Sequence, residues 1–151
     1  MPVINRSYED VVKHFQDACN SNLSVASFAT GPIDFLDSSV VNRAYPFVFL
    51  RPMTSLGVQG NVKTLSFELY SLDIPKLSDG NALKAMSVTE EIVYQLASYF
   101  TLGPDQKYWN LTINTISPVN EGFQDRVFGW VADIDVATPY TLDYCDYPTG
   151  L

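Results

Sequence analysis

In two stretches of this sequence, side chains sort into two sets at every second position. Between Val62 and Ile74, Leu65, Phe67 and Leu69 fall in one set, and Thr64, Ser66 and Glu68 in the other. Between Arg126 and Thr138, Phe128, Trp130, Ala132, Ile134 and Val136 interleave with Val127, Gly129, Val131, Asp133 and Asp135. Successive side chains of an extended chain point to opposite faces, so a period of two predicts a half-buried strand in each stretch. Pro139 stops the second one.

Other segments carry a different period. Tyr8, Val11, Val12, Phe15, Ala18 and Cys19 make one apolar stripe at helical spacing, and a helix is expected from about Ser7 to Cys19. Ser7 is its expected N-cap, Glu9 and Asp10 suit its first turn, and Asn20, Ser21 and Asn22 end it. A second helix follows Asp73 to Gly80, with Asp79 as a possible cap. Leu83, Met86, Val88, Ile92, Val93, Leu96, Ala97 and Phe100 form its apolar side, and Gly103-Pro104 stops it.

Shorter strands are expected at Leu23–Ala29 and at Tyr45–Leu50, where Pro46 suggests an edge position or a strand's first residue. Thr30–Ala44 reads as a surface loop anchored by Phe35-Leu36, and Thr54–Asn61, with Gly57 and Gly60, as a flexible hairpin tip. Trp109, Leu111 and Ile113 alternate with Asn110, Thr112 and Asn114 in a further strand, before a turn at Pro118–Gly122. Helix, strands, helix, strands in that order predict an α+β fold, with a mostly antiparallel mixed sheet flanked by two main helices. Residues 1–138 would form a single domain and 139–151 a Tyr-rich C-terminal arm.

The length of 151 residues fits that single domain. Such a chain buries ~70% of the surface it exposes when unfolded, enough for a core without staples. Only 17% of residues are charged, while 46% are hydrophobic and 13% aromatic. These values argue against disorder and hint at apolar surface covered by something other than this chain. The net charge is −8, and the nine basic residues are scattered singly, with nothing basic after Arg126. Duplex binding needs Lys and Arg gathered against phosphates, so sequence-specific nucleic-acid recognition is not expected. No apolar run approaches a membrane span, and Met1–Asp10 lack a signal-peptide pattern. A chain made and kept in a cytoplasm is expected, with Cys19 and Cys145 as free thiols. Asn5, Asn22 and Asn110 begin N-x-Ser/Thr triplets, which without secretion are chance matches.

Catalytic constellations are hard to assemble from these residues. His14 is the only histidine, and a lone helical histidine is usually a surface or boundary residue. Cys19 follows it by five positions, which does not stack the two on a helix. Asp133 and Asp135 share a strand face, where a solvated face opposite a buried Trp130 explains them better than an acid–base pair or a cation site. Asp34 and Asp37 miss the calcium-loop spacing, and Gly57-x-x-Gly60 is too short for a phosphate loop. No catalytic residue, metal ligand or cofactor is assigned, and no enzyme is expected. Two features invite a partner instead: Leu56 and Val58 on the glycine-bearing loop, and Tyr140, Leu142, Tyr144 and Tyr147 in the arm.

The order of elements resembles a family. An amphipathic helix (Tyr8 to Cys19) precedes a Tyr-Pro-Phe-Val-Phe-Leu-Arg-Pro strand (Tyr45 to Pro52), a glycine-bearing hairpin and an alternating strand ending in Asp73. A long helix follows, then a hairpin closing in Gly-Trp-Val-Ala-Asp-Ile-Asp-Val, and the ending Leu142-Asp143-Tyr144-Cys145-Asp146-Tyr147-Pro148. This pattern is similar to that of the tail terminator or tail completion proteins of tailed bacteriophages, and more loosely to other neck-ring proteins. The resemblance implies a homo-oligomeric ring, usually a hexamer, at the head-proximal end of the tail. Such a ring stops tube growth and meets the tail tube protein and the neck or connector proteins, with DNA passing through its lumen. It implies a virion location after assembly in the host cytoplasm, and no catalytic residues. Two other expectations stand beside it. One is a monomeric small-ligand or peptide-binding module with a pocket lined by Tyr94, Trp109 and Trp130; the other is a hydrolase using Asp133 and Asp135.

Overall fold

Helix α1 (Tyr8–Ser21) starts where the sequence offers a reciprocal cap. In the computed structural model, which describes residues 5–32, 44–74, 82–104, 106–119, 127–143 and 148, the Asp10 amide donates to Ser7 Oγ (3.2 Å). The Ser7 amide donates in turn to the Asp10 carboxylate (2.8 Å), completing a capping box with aspartate at its third position. That amide also holds the Asp10 carboxyl below its ordinary pKa. The buried stripe is Val11, His14, Phe15, Ala18 and Cys19, and Asn22 caps the far end.

The sheet is built around two long partners. Strand β4 (Val62–Asp73) and strand β6 (Phe128–Pro139) run antiparallel over their full lengths, from Val62 opposite Pro139 to Asp73 opposite Phe128. Beyond β4 lie β2 (Phe47–Pro52), antiparallel to it, and β1 (Ser27–Thr30), parallel to β2. Beyond β6 lies β5 (Asn110–Val119), and the order is β1-β2-β4-β6-β5. The short β3 (Gly57–Gln59) pairs with the start of β4 through a two-residue turn, Gly60-Asn61, in which Gly60 takes φ +63°. Helix α2 (Ala82–Leu102) crosses from β4 toward β5 and packs on β4, β5 and β6. This is the expected α+β architecture with a mostly antiparallel mixed sheet.

Both helices cover the same face of the sheet. Val48, Leu50, Phe67, Leu69, Ala132, Ile134 and Val136 meet Val11, Phe15 and Ala18 of α1 and Ile92, Leu96 and Phe100 of α2 in one buried cluster. Phe47, Phe49, Tyr70, Leu72, Val119 and Val127 make a second buried cluster, on the opposite face by strand parity. The two-set pattern therefore holds for β4 only up to Leu69. From Tyr70 onward both faces are buried, as are all four residues Phe47–Leu50.

Several expectations need correction. Pro46 does not mark an edge: β2 lies between β1 and β4, and Pro46 sits just ahead of it, its carbonyl accepting from the Ala26 amide (2.8 Å). Pro118 does not begin a turn. It lies within β5, opposite Trp130, because β5 is the outermost strand and a missing donor there leaves no ladder bond unmade. Leu83 belongs to the exposed side of α2, at 79% exposure. Trp130 is half-buried, its Nε1 donating to the Met86 carbonyl (2.8 Å). The loop around Phe35-Leu36, Asp34, Asp37, the Asp79 cap and the turn at 120–126 lie outside the described residues.

Candidate interaction surface

The register that joins β4 to β6 also joins the two segments singled out as partner contacts. Val62 pairs with Pro139, and one step on the Tyr140 amide donates to the Asn61 carbonyl (2.9 Å). The arm thus leaves the sheet beside the β3–β4 hairpin. Asn5 then holds it, accepting from the Thr141 amide and donating to the Thr141 carbonyl, both at 2.8 Å. Leu56 is 65% exposed at the base of β3 and Leu142 76% exposed just past the Asn5 clamp. Val58, opposite Lys63 in the ladder, and Tyr140 are half-buried. Tyr144, Tyr147 and Cys145 lie outside the described residues. Met53 and Val62 add exposed apolar area to this hairpin end. A turn made by Gly60 and the β3–β4 ladder hold Val58 and Val62 in place.

Arg6, Lys63 and Lys107 come together at the same corner, where the Asp10 charge acts on both Arg6 and Lys63. Lys63 Nζ donates to the Arg6 carbonyl (2.8 Å) and sits 5.0 Å from the Tyr140 ring centroid. The Arg6 guanidinium lies 4.0 Å above the Tyr108 ring and 5.4 Å from that of Trp109, and Lys107 Nζ is 5.1 Å from the same Tyr108 ring. Tyr108 belongs to a 3₁₀ turn (Gln106–Tyr108) that links α2 to β5. Burial pulls the Lys63 ammonium below its ordinary pKa, against the opposing pull of the Asp10 charge. Residues 6, 63 and 107 share no sequence spacing, so nothing in the linear pattern signals that they meet. The basic residues are scattered in sequence and partly gathered in space.

The face of the sheet opposite the helices carries an acidic strip. Glu68 lies opposite Asp133 in the β4–β6 ladder, and Ser66 opposite Asp135. Arg51, opposite Glu68 on β2, pairs with it at 2.6 Å. Burial and the Glu68 charge together raise the neighbouring Tyr70 hydroxyl above its ordinary pKa. Asp135 accepts from Ser66 Oγ (2.7 Å) and from Asn114 Nδ2 (3.0 Å), and Asp133 accepts from Thr115 Oγ1 (2.9 Å). The ladder between β5 and β6 shifts register between Ile113 and Thr115. This irregularity brings both Asn114 and Thr115 within reach of the two aspartates on one face. Neutral donors tether Asp133 and Asp135, while Glu68 is held by the Arg51 guanidinium.

The remaining candidates fall elsewhere. His14 is buried rather than at the boundary, stacked on Trp109 (4.8 Å, 17°) and edge-on to Phe100 (4.5 Å). The 3₁₀ turn places Trp109 against α1, a tertiary contact that helix periodicity could not report. Cys19 is a buried free thiol whose pKa burial pushes up to about 12, far from a reactive thiolate. Trp109 packs beside Phe100 and Trp130 beside Met86, so 14 residues of α2, about 21 Å of helix, separate their neighbours. Tyr94 is exposed. These three aromatics therefore do not line a single ligand-sized pocket. Among the described residues no three His, Cys, Asp or Glu side chains are placed to hold a metal ion, and no helix is long and apolar enough to cross a membrane. Neither a model of a known family nor a curated protein matches the chain.

Proposed function

We propose that this chain is a ring-forming structural protein of a bacteriophage tail, of the tail terminator or neck-ring kind. Copies join side by side at the head-proximal end of the tail, end the growth of the tube and offer a surface to the neck. The observation that carries this reading is the convergence of the hairpin and the C-terminal arm at one end of the sheet. Leu56 and Leu142 are exposed there, each next to a residue held by the fold: Gly57 by its ladder pair with Thr64, and Thr141 by the Asn5 side chain. Exposed apolar side chains next to anchored backbone suit subunit contacts, because covering them orders few additional residues.

Size-exclusion chromatography with light scattering, alone and with the tail tube protein, tests it. A closed oligomer that binds tube ends and arrests their growth is the expected result. A folded monomer at high concentration that neither binds the tube nor arrests it would overturn the proposal.

A further inference from the structure

The β4–β6 ladder runs out of pairing partners where the C-terminal arm begins. Val62 opposite Pro139 is its last pair, and the Tyr140 amide adds one more bond, to the Asn61 carbonyl in the hairpin turn (2.9 Å). There the chain has already turned back into β3, so β4 offers nothing further to Thr141. The side chain of Asn5 takes the place of the missing strand. A side-chain amide carries the same donor and acceptor as a peptide group, and Asn5 uses both. Its Nδ2 donates to the Thr141 carbonyl and its Oδ1 accepts from the Thr141 amide, each at 2.8 Å. Lys63 joins the same two segments at a second point, with Nζ donating to the Arg6 carbonyl and standing 5.0 Å from the Tyr140 ring centroid. Arg6 in turn lies over the Tyr108 ring, which anchors the backbone that carries Asn5.

We propose that Asn5 is a latch. It holds residues 140–142 as one closed strap at the hairpin end, and its release opens all three together while the sheet stays folded. The strap is held by hydrogen bonds rather than by buried side chains, since Tyr140 is half-buried and Thr141 and Leu142 are exposed. Each bond between neutral, exposed groups contributes little net free energy, and a segment with few buried apolar contacts opens locally without the core. The core does not depend on it, because β4 and β6 keep all their own pairs when the strap leaves. Asn5 is thereby a positioning residue for Leu142, and this consequence rests on the ring-forming reading above. The opening itself is a property of the single chain.

Amide hydrogen exchange, read residue by residue on the full-length chain, tests the latch. Asn5→Ala removes both bonds to Thr141 and is expected to speed exchange about tenfold at the Tyr140 amide, roughly the worth of two neutral exposed bonds. The acceptor of that amide, the Asn61 carbonyl, is untouched by the substitution, so only a concerted opening reaches it. The Leu69 and Ala132 amides, in the two central strands, are expected to keep their rates. Asn5→Asp keeps the size and the acceptor but sets a carboxylate against the Thr141 carbonyl, and it is expected to speed Tyr140 exchange as well. A Tyr140 rate unchanged in both variants would overturn the latch and leave the ring reading standing. So would a rise shared by Leu69 and Ala132, the mark of a loss of global stability. Light scattering of the same variants is expected to show assembly weakened several-fold, and full assembly beside a fast Tyr140 amide would overturn the positioning of Leu142. A wild-type chain that stays monomeric would defeat the ring reading, with the exchange test of the latch intact.

Discussion

Replacing Gly129 by alanine should break the sheet at its centre, and the size of the effect follows from its neighbours. Gly129 lies on β6 between β4 and β5, opposite Leu72 on one side and Val119 on the other. A Cβ built there would stand 2.9 Å from Leu72 Cα and from the Ser71 carbonyl carbon, nearer still to the Ser71 oxygen, where ordinary contact begins at 3.4 Å. All of these are backbone atoms, so no rotamer change relieves the clash. The Ser71 oxygen sets the displacement: the strands must separate locally by about an ångström, which carries neighbouring N–H···O bonds from ~2.9 Å well past the ~3.2 Å limit of good geometry. Two weakened ladder bonds at ~1 kcal/mol each, with the overpacking itself, give a loss of about 3 kcal/mol. For a chain of this length that is a fall in Tm of roughly 6–12 °C. Gly57→Ala is the control: Gly57 has φ +74° with nothing within 4 Å, so only the left-handed backbone is penalised, by about 1 kcal/mol. Thermal melts and urea titrations of both variants beside the wild type decide the matter. A Gly129→Ala protein that melts within 2 °C of wild type, or no lower than Gly57→Ala, would refute the close-approach reasoning.

Three further outcomes are expected. Ser7→Ala should cost about 1 kcal/mol by removing half of the capping box, measured by urea unfolding at neutral pH. Because the folded Asp10 pKa lies below its unfolded value of 3.8, its contribution is present above that pH and is lost as pH falls through the folded pKa. Ser7→Ala keeps the residue-7 amide that is the main cause of this shift, so the acid limb should flatten in Asp10→Asn and largely persist in Ser7→Ala. Cys19 should resist thiol reagents in the native protein and react on unfolding. Its pKa rises from 9.0 to about 12 on folding, so stability falls progressively as pH climbs through that interval, and Cys19→Ala removes this part of the alkaline loss. Leu56→Asp with Leu142→Asp should abolish assembly in light scattering while moving the monomer's stability by no more than about 0.5 kcal/mol per site, since both are exposed.

What could be read from the chain alone depended on how local the deciding interaction was. The helix start at Ser7 is settled within four residues, and the sequence displays the whole capping box. The faces of β4 and β6 follow from a period of two along one strand, so Leu65, Phe67 and Leu69 and the Asp133–Asp135 face emerge as expected. The exceptions all turn on a second element. Phe47–Leu50 is a short apolar run, and such a run does not say that both its faces are covered. Pro118 punctuates a turn in most contexts, but the outermost place of β5 in the sheet order removes the reason for a break. His14 reads as a boundary residue on its own helix and becomes core only because the turn after α2 delivers Trp109 onto it.

The interaction surface divides along the same line. Leu56, Val58, Tyr140 and Leu142 could be picked out one by one, as apolar or aromatic side chains in segments too polar to form a core. Their convergence is a property of the β4–β6 register, which sets Val62 beside Pro139 and so brings the arm to the hairpin. Charge is the sharper case. A net charge is a sum and carries no trace of arrangement, so −8 argues against gripping nucleic acid without revealing that Arg6, Lys63 and Lys107 share a corner. Five positions separate Lys63 from Glu68 on β4. An odd separation puts two side chains on opposite faces, and the closest pairing partners of Glu68 across the ladders, Arg51 and Asp133, follow it to the open side. The parity of one strand therefore decides that Lys63 and Glu68 end on opposite sides of the sheet, something no sum of charges could report.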